Sequence, residues 1–207
     1  MKNKTLKKIL FLGDSHCVMT MGQVIVEKIN ENYENADSQL YFYAVSGASF
    51  LDWFQAKQNI FQIRNSQKIP GKAIEISTNP ISIDFLKELE TLHPEILILA
   101  LGTNDLIIHQ DDLDNYLTSL DRGLKQIAQK YKKLSIIWIM PPEFIETVVM
   151  PSSRRKLGQV LQNNNKIQLV DILGFFPDQQ DQIHFNKSKA TQFAIKIFEK
   201  LKIILSS

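Results

Sequence analysis

Short continuous apolar runs alternate along this chain with longer stretches in which apolar residues recur every three or four positions. Residues 8–12 (Lys-Ile-Leu-Phe-Leu), closed by Gly13, suit a strand buried on both faces. Residues 18–32 then place Val18, Met21, Ile25 and Ile29 on one helical face. Residues 40–45 predict a second, aromatic-rich strand. A helix over 81–92 is expected to stop at His93-Pro94, because the residue before proline is pushed out of the helical region. Residues 95–101 form the strongest strand signal. An amphipathic helix follows at 113–130, with Leu113, Leu117, Leu120, Leu124 and Ile127 on its core face. Residues 135–140 predict a buried strand cut off by Pro141-Pro142, residues 152–162 a shorter helix, and 167–172 a last strand. The final helix starts near Asn186, an N-cap candidate, and shows Ala190, Phe193, Ala194, Ile197, Phe198 and Leu201 as its core face.

Five β units separated by helices imply an α/β fold, a parallel sheet with helices on both faces. No internal repeat, linker or low-complexity tract interrupts the pattern, so residues 1–207 are expected to form a single domain. Residues 52–80 fit the alternation least well. They are polar in patches and contain Pro70-Gly71, and they read as an insertion of irregular or partly helical structure. Insertions of this size commonly build substrate-facing surface.

Composition narrows the picture without changing it. The chain has 207 residues, 44% of them apolar and 22% charged, enough for one domain with a real core. A formal charge of +2 sets up no field that implies nucleic acid as a partner. Lysines at 2, 4, 7 and 8 read as a solvated N-terminus. The single cysteine, Cys17, excludes an internal disulfide and a multi-cysteine zinc site. A nucleophilic role for it is weaker than that of a small buried group at a helix start. The apolar run at 9–12 is too short for a signal peptide, and no stretch has the length of a membrane span. The sequence as it stands is therefore expected to be cytoplasmic, or periplasmic or secreted if a leader has been removed.

The chemistry lies just after predicted strands, where open parallel sheets bind their ligands. Gly13-Asp14-Ser15-His16, Ser46-Gly47, Gly102-Thr103-Asn104-Asp105 and Asp181-Gln182-Ile183-His184 offer a nucleophile, oxyanion donors, and a base with its carboxylate. Ser15 on a strand-to-helix turn has the rigid perch a serine nucleophile needs; the alternative is an ordinary N-cap serine. Asp181 and His184 are three apart, so one helical turn brings them to the same side, and the carboxylate can fix the imidazole tautomer. The alternative is a loop aspartate and a surface histidine with no shared task. Gly47 can bring a backbone N–H close to a ligand, and Asn104 can donate through its side-chain amide; either is also an ordinary turn residue. Asp14 reads as a loop brace. His16 is a poor partner for its neighbour Ser15 but a candidate to line the pocket. Asp105 has no companion histidines or cysteines at metal-ligand spacing, so no metal is expected.

In order and spacing, these four blocks resemble the SGNH hydrolases, also called GDSL-type esterases and lipases. The matching residues are Ser15 in Gly-Asp-Ser, Gly47, Asn104 in Gly-x-Asn-Asp and His184 in Asp-x-x-His, spanning residues 11–185. The resemblance implies a three-layer α/β/α sandwich with a flavodoxin-like, five-stranded parallel sheet. It also implies a Ser15–His184–Asp181 triad, an oxyanion hole from the Ser15 and Gly47 amides and the Asn104 side chain, and no cofactor. His16 stands where the family usually has leucine, which implies a more polar pocket beside the serine. No Gly-x-Ser-x-Gly elbow of the other large serine-hydrolase fold is present.

The expected substrate is a small-molecule or glycan ester, with an acetyl group on a carbohydrate the first choice. Trp53 and Phe54 are candidate sugar-stacking residues, with core packing as their alternative, and Arg154 is a candidate for an acidic group. A lysophospholipase or thioesterase is the second choice, with Phe144-Ile145 and Val148-Val149-Met150 lining an acyl channel. A non-catalytic carbohydrate-binding protein on the same fold is the third.

Overall fold

A computed structural model describes residues 7–32, 38–55, 63–67, 75–77 and 84–206. The parallel strands are β1 (Lys7–Gly13), β2 (Ser38–Val45), β5 (Ile96–Ala100), β6 (Ser135–Ile139) and β7 (Ile167–Val170). Two more strands, β3 (Ile63–Gln67) and β4 (Glu75–Ser77), extend the sheet antiparallel beyond β2, in the order β4-β3-β2-β1-β5-β6-β7. The five parallel strands expected from the sequence are all present, in the doubly wound order of a flavodoxin-like sheet. The expectation of irregular or partly helical structure at 52–80 needs correction where residues are described. Among the described residues its first are helical, as part of the expectation had it, and 63–67 and 75–77 are strands that lengthen the sheet edge. Polar strand residues lack the apolar run that signals a buried strand, and an edge strand does not need one.

The helices are α1 (Ser15–Val18), α2 (Thr20–Asn32), α3 (Phe50–Phe54), α4 (Phe85–Leu92), α5 (Thr103–Ile108), α6 (Leu113–Lys130), α7 (Pro151–Gln162) and α8 (Lys187–Ser206). Strand side chains alternate between two cores. Leu10, Leu12, Leu97, Leu99, Ile136 and Trp138 pack with α3, α4, α6 and α7. Ile9, Phe11, Ile96, Ile98, Ile137 and Ile139 pack with α1, α2 and α8. This period-2 division explains why the central strands read as unbroken apolar runs: each face has its own layer of helices. The structure is thus a three-layer α/β/α sandwich.

Local signals set the helix ends. Helix α4 begins at Asp84, whose carboxylate accepts from Lys87 N–H. It ends at His93, which turns left-handed (φ 46°) immediately before Pro94. Asn186 caps α8 by accepting from Lys189 N–H, as its position predicted.

Candidate active site

The C-terminal ends of β1, β2 and β5 and the loop that follows β7 carry the four sequence blocks. Gly13 closes β1 and lets the chain turn directly into α1, since a Cβ there would fall 2.3 Å from Cys17 Cβ. Asp14 caps the short helix by accepting from His16 N–H at 3.0 Å. Ser15, the first helical residue, is thereby held on a rigid junction and is almost fully buried. Its N–H is one of the first amides of a helix, which have no intrahelical acceptor.

Ser15 Oγ lies 2.9 Å from His184 Nε2, across 169 residues of sequence. On the other side of the ring, His184 Nδ1 is 2.6 Å from Asp181 Oδ2. The second Asp181 oxygen accepts from the Ile183 and His184 backbone amides at 2.9 and 3.0 Å. The carboxylate therefore orients both the ring and the turn that carries it. Partial burial works to raise Asp181, but the hydrogen bonds from the His184 ring and the two amides outweigh it and hold the carboxyl at about 2. The His184 carbonyl accepts from Asp178 and Gln179 N–H, which closes the loop on itself.

Gly47 adopts a left-handed conformation (φ 80°) with open space where a Cβ would stand, so backbone conformation rather than crowding favours glycine here. Asn104 donates from Nδ2 to the Ala48 carbonyl at 3.1 Å and so ties the loop after β2 to α5. An amide nitrogen carries two N–H groups, which leaves Asn104 one for a ligand. Ser49 opens α3 with a capping box: its hydroxyl accepts from Asp52 N–H, and Asp52 accepts from Ser49 N–H at 2.8 Å.

Asp105 has a role the sequence did not disclose. Fully buried, it accepts from Phe50 N–H at 3.0 Å and from the Tyr116 hydroxyl, joining α3, α5 and α6 behind Gly47 and Asn104. Burial raises its carboxyl, against the pull of the Tyr116 and Phe50 hydrogen bonds. The signal was present as an acidic residue directly before the apolar run Leu106-Ile107-Ile108, but its partners lie 55 and 11 residues away. Asp14 is buried as well. Desolvation pushes it up to about 7, against the His16 amide and the Thr103 hydroxyl, with Asp105 adding to the rise.

Several expected substrate contacts are placed elsewhere. Trp53 is fully enclosed in the core, so it offers no face to a sugar, and the core-packing alternative holds for it. Phe54 is half-buried and stacks on Phe50 at 5.7 Å. Arg154 spends its guanidinium on the Pro141 carbonyl (3.1 and 3.0 Å) and on Asp171 (2.5 Å), bracing the loop after β6. His16 is buried with its ring 5.2 Å from that of His184, behind the base and not on an open pocket wall. Phe144 and Val149 belong to the core, while Ile145 and Met150 are exposed. Cys17 is buried and its thiol is pushed up by desolvation, which suits packing and not nucleophilic work. Among the described residues no group of His, Cys, Asp and Glu is arranged to hold a metal ion, and no helix is long and apolar enough to cross a membrane.

No protein-family model matches the chain, and no curated protein matches it. Solved structures do. A carbohydrate esterase family 3 structure from Talaromyces cellulolyticus aligns with a TM-score of 0.66 at 15% identity, over 97% of this chain and 99% of that one. A variant of an acetylxylan esterase from Geobacillus stearothermophilus aligns at 0.65 and 15%, over 96% and 95%. The lipase/acylhydrolase from Enterococcus faecalis aligns at 0.60 and 15%, over 95% and 96%. The chain has the fold of the GDSL/SGNH lipases, acylhydrolases and carbohydrate esterases along nearly its whole length.

Proposed function

We propose that the protein is a serine hydrolase of carboxylic esters, with a short acyl group, acetyl first, on a carbohydrate as the preferred substrate class. The observation that carries this reading is the hydrogen-bonded chain Ser15–His184–Asp181, with bonds of 2.9 and 2.6 Å. Asp181 holds the ring with Nδ1 protonated and Nε2 free to accept the Ser15 proton. Ser15 Oγ attacks the ester carbonyl while its proton passes to His184 Nε2. The tetrahedral oxyanion is met by the Ser15 and Gly47 amides and the Asn104 side chain, donors each worth on the order of a hundredfold to a thousandfold in rate. His184 then gives its proton to the leaving alcohol. Water, deprotonated by the same nitrogen, releases the acid and restores the serine.

The acetyl and carbohydrate preference is supported by structural neighbours that include a carbohydrate esterase and an acetylxylan esterase, each covered along at least 95% of its length. It draws nothing from Trp53. A panel of p-nitrophenyl esters from acetate to palmitate, followed by acetylated glycans, tests it. Activity is expected to fall sharply beyond butyrate, and a rise toward long chains overturns the short-acyl reading in favour of a lysophospholipase or thioesterase. Ser15→Ala tests the mechanism itself. It is expected to lower kcat by roughly a million-fold and leave thermal unfolding unchanged; retained turnover excludes Ser15 as the nucleophile.

A further inference from the structure

His16 stands where the resemblance leads one to expect leucine, and the structure gives it surroundings of its own. The ring is buried, and among the described residues its Nε2 has no hydrogen-bond partner. Burying an unpartnered polar nitrogen is costly, and an aliphatic side chain would avoid that cost. The ring is also one of a series of aromatic contacts whose middle members, His16, Phe185 and Phe193, are buried. Phe175 meets Phe193 at 5.2 Å, Phe193 meets Phe185 at 5.1 Å, Phe185 meets His16 at 5.7 Å, and His16 meets His184 at 5.2 Å with the planes tilted by 50°. Phe193 lies on α8, so the series runs from the core helix layer to the candidate base. Both nitrogens of His184 are committed, one to Ser15 and one to Asp181. His16 therefore touches the base through ring contact alone.

Resting on the serine-hydrolase reading above, we propose that His16 is a positioning residue for His184: the inner end of an aromatic column that steadies the base and presents a neutral ring to the imidazolium formed at each proton transfer. Three features support this role. Centroid separations of 5–6 Å with tilted planes are the favoured geometry of aromatic pairs. A leucine at the same position fills space but supplies no such ring contact. Burial lowers His16 to about 3, with the nearby His184 charge acting in the same direction and Asp181 against it. The residue thus remains uncharged and does not oppose the positive charge on its neighbour. The loop that carries His184 is largely exposed, with Phe185 as its buried anchor, and His16 adds a contact on the base itself from the first helix.

The test compares His16→Leu and His16→Phe in the full-length protein, using ester turnover and the rate of labelling by a fluorophosphonate, which reads the attack step alone. His16→Leu is expected to lower kcat about tenfold with KM within about twofold, and to slow labelling by a similar factor. His16→Phe, which restores a ring, is expected to recover most of both rates. Phe185→Leu, which leaves α1 untouched and loosens the column one step back, should give a smaller slowing with the same split between kcat and KM. Thermal unfolding of each variant identifies any that fails to fold, and the other two then carry the comparison. Leucine at 16 reacting as fast as histidine, or phenylalanine as slow as leucine, overturns the proposal. An unmutated protein that takes no fluorophosphonate label instead refutes the serine-hydrolase reading on which it rests.

Discussion

Two aspartates bracket the candidate nucleophile and base, and their surroundings are opposite. Asp14 lies under the Ser15 turn, 2% exposed, and burial lifts its carboxyl to about 7. Asp181 lies on the His184 loop with its side chain 44% exposed, and it is held at about 2 by one ring N–H and two backbone amides. The same side chain thus keeps its proton up to about pH 7 in one half of the site and is ionised over the whole ordinary pH range in the other. Solvation and donors decide this, not residue type. The nucleophile side of the site is built into the sheet and the first helix. The base side is a short self-bonded loop set against that wall. Chemistry that needs a fixed hydroxyl and a proton carrier is well served by this division.

Between these two aspartates, the larger kinetic effect is expected from removing the charge on the exposed side. Asp181→Asn keeps the loop's size but releases the ring tautomer, and kcat should fall by roughly a thousandfold to ten-thousandfold with little change in stability. Steady-state kinetics beside a denaturation curve reads both. A small kinetic effect shows that His184 is oriented mainly from its buried side.

Cutting the buried brace should have the opposite signature. Asp105→Ala leaves the Phe50 N–H and the Tyr116 hydroxyl without their acceptor. It is expected to cost about 3 kcal/mol of stability by chemical denaturation. Asp105→Asn, which retains one acceptor, should cost clearly less. Equal losses for the two variants show that the cavity, and not the missing acceptor, sets the cost.

The smallest effect sharpens the comparison through pH. Folded Asp14 keeps its proton to about 7, whereas the unfolded chain releases it near the ordinary value of 3.8. Between these values the folded state binds more protons, so this group's contribution to stability falls as pH rises and stays lost above 7. His16 works the other way: neutral when folded down to about 3 but titrating near 6.5 when unfolded, it withdraws stability as pH falls below 6.5. The two slopes oppose each other in the intact protein. Asp14→Asn should therefore remove its share of the falling slope, with the gain in stability over the parent growing from about pH 4 to about 1 kcal/mol or more by pH 7. A difference that does not change with pH removes Asp14 as the titrating group.

Much of this architecture was legible before any coordinates. The helix at 113–130 matches α6 residue for residue, because its period and its breakers are both local. The strands were found for the same reason, and each ended within a few residues of its expected bound. Trp53 shows where that reading runs out. Its position after Gly47 left sugar stacking and core packing both open, because the direction of a side chain on a five-residue helix depends on what packs over it. Arg154 likewise has no local feature that announces Pro141 and Asp171 as its partners. Strands β3 and β4 were missed because an edge ladder draws on backbone hydrogen bonds and needs no apolar run to declare itself.

By itself, then, the sequence determined the order of elements, the parallel character of the central sheet and the residue types that meet at its carboxyl edge. Those follow from short-range periodicity and from a small set of connection rules. Tertiary structure alone decided that Ser15 and His184 come within 2.9 Å, that His16 backs the base, and that Asp14 and Asp181 titrate on opposite sides of their ordinary value. Each of these depends on desolvation or contact between residues far apart in the chain, quantities that exist only once the layers have closed on one another.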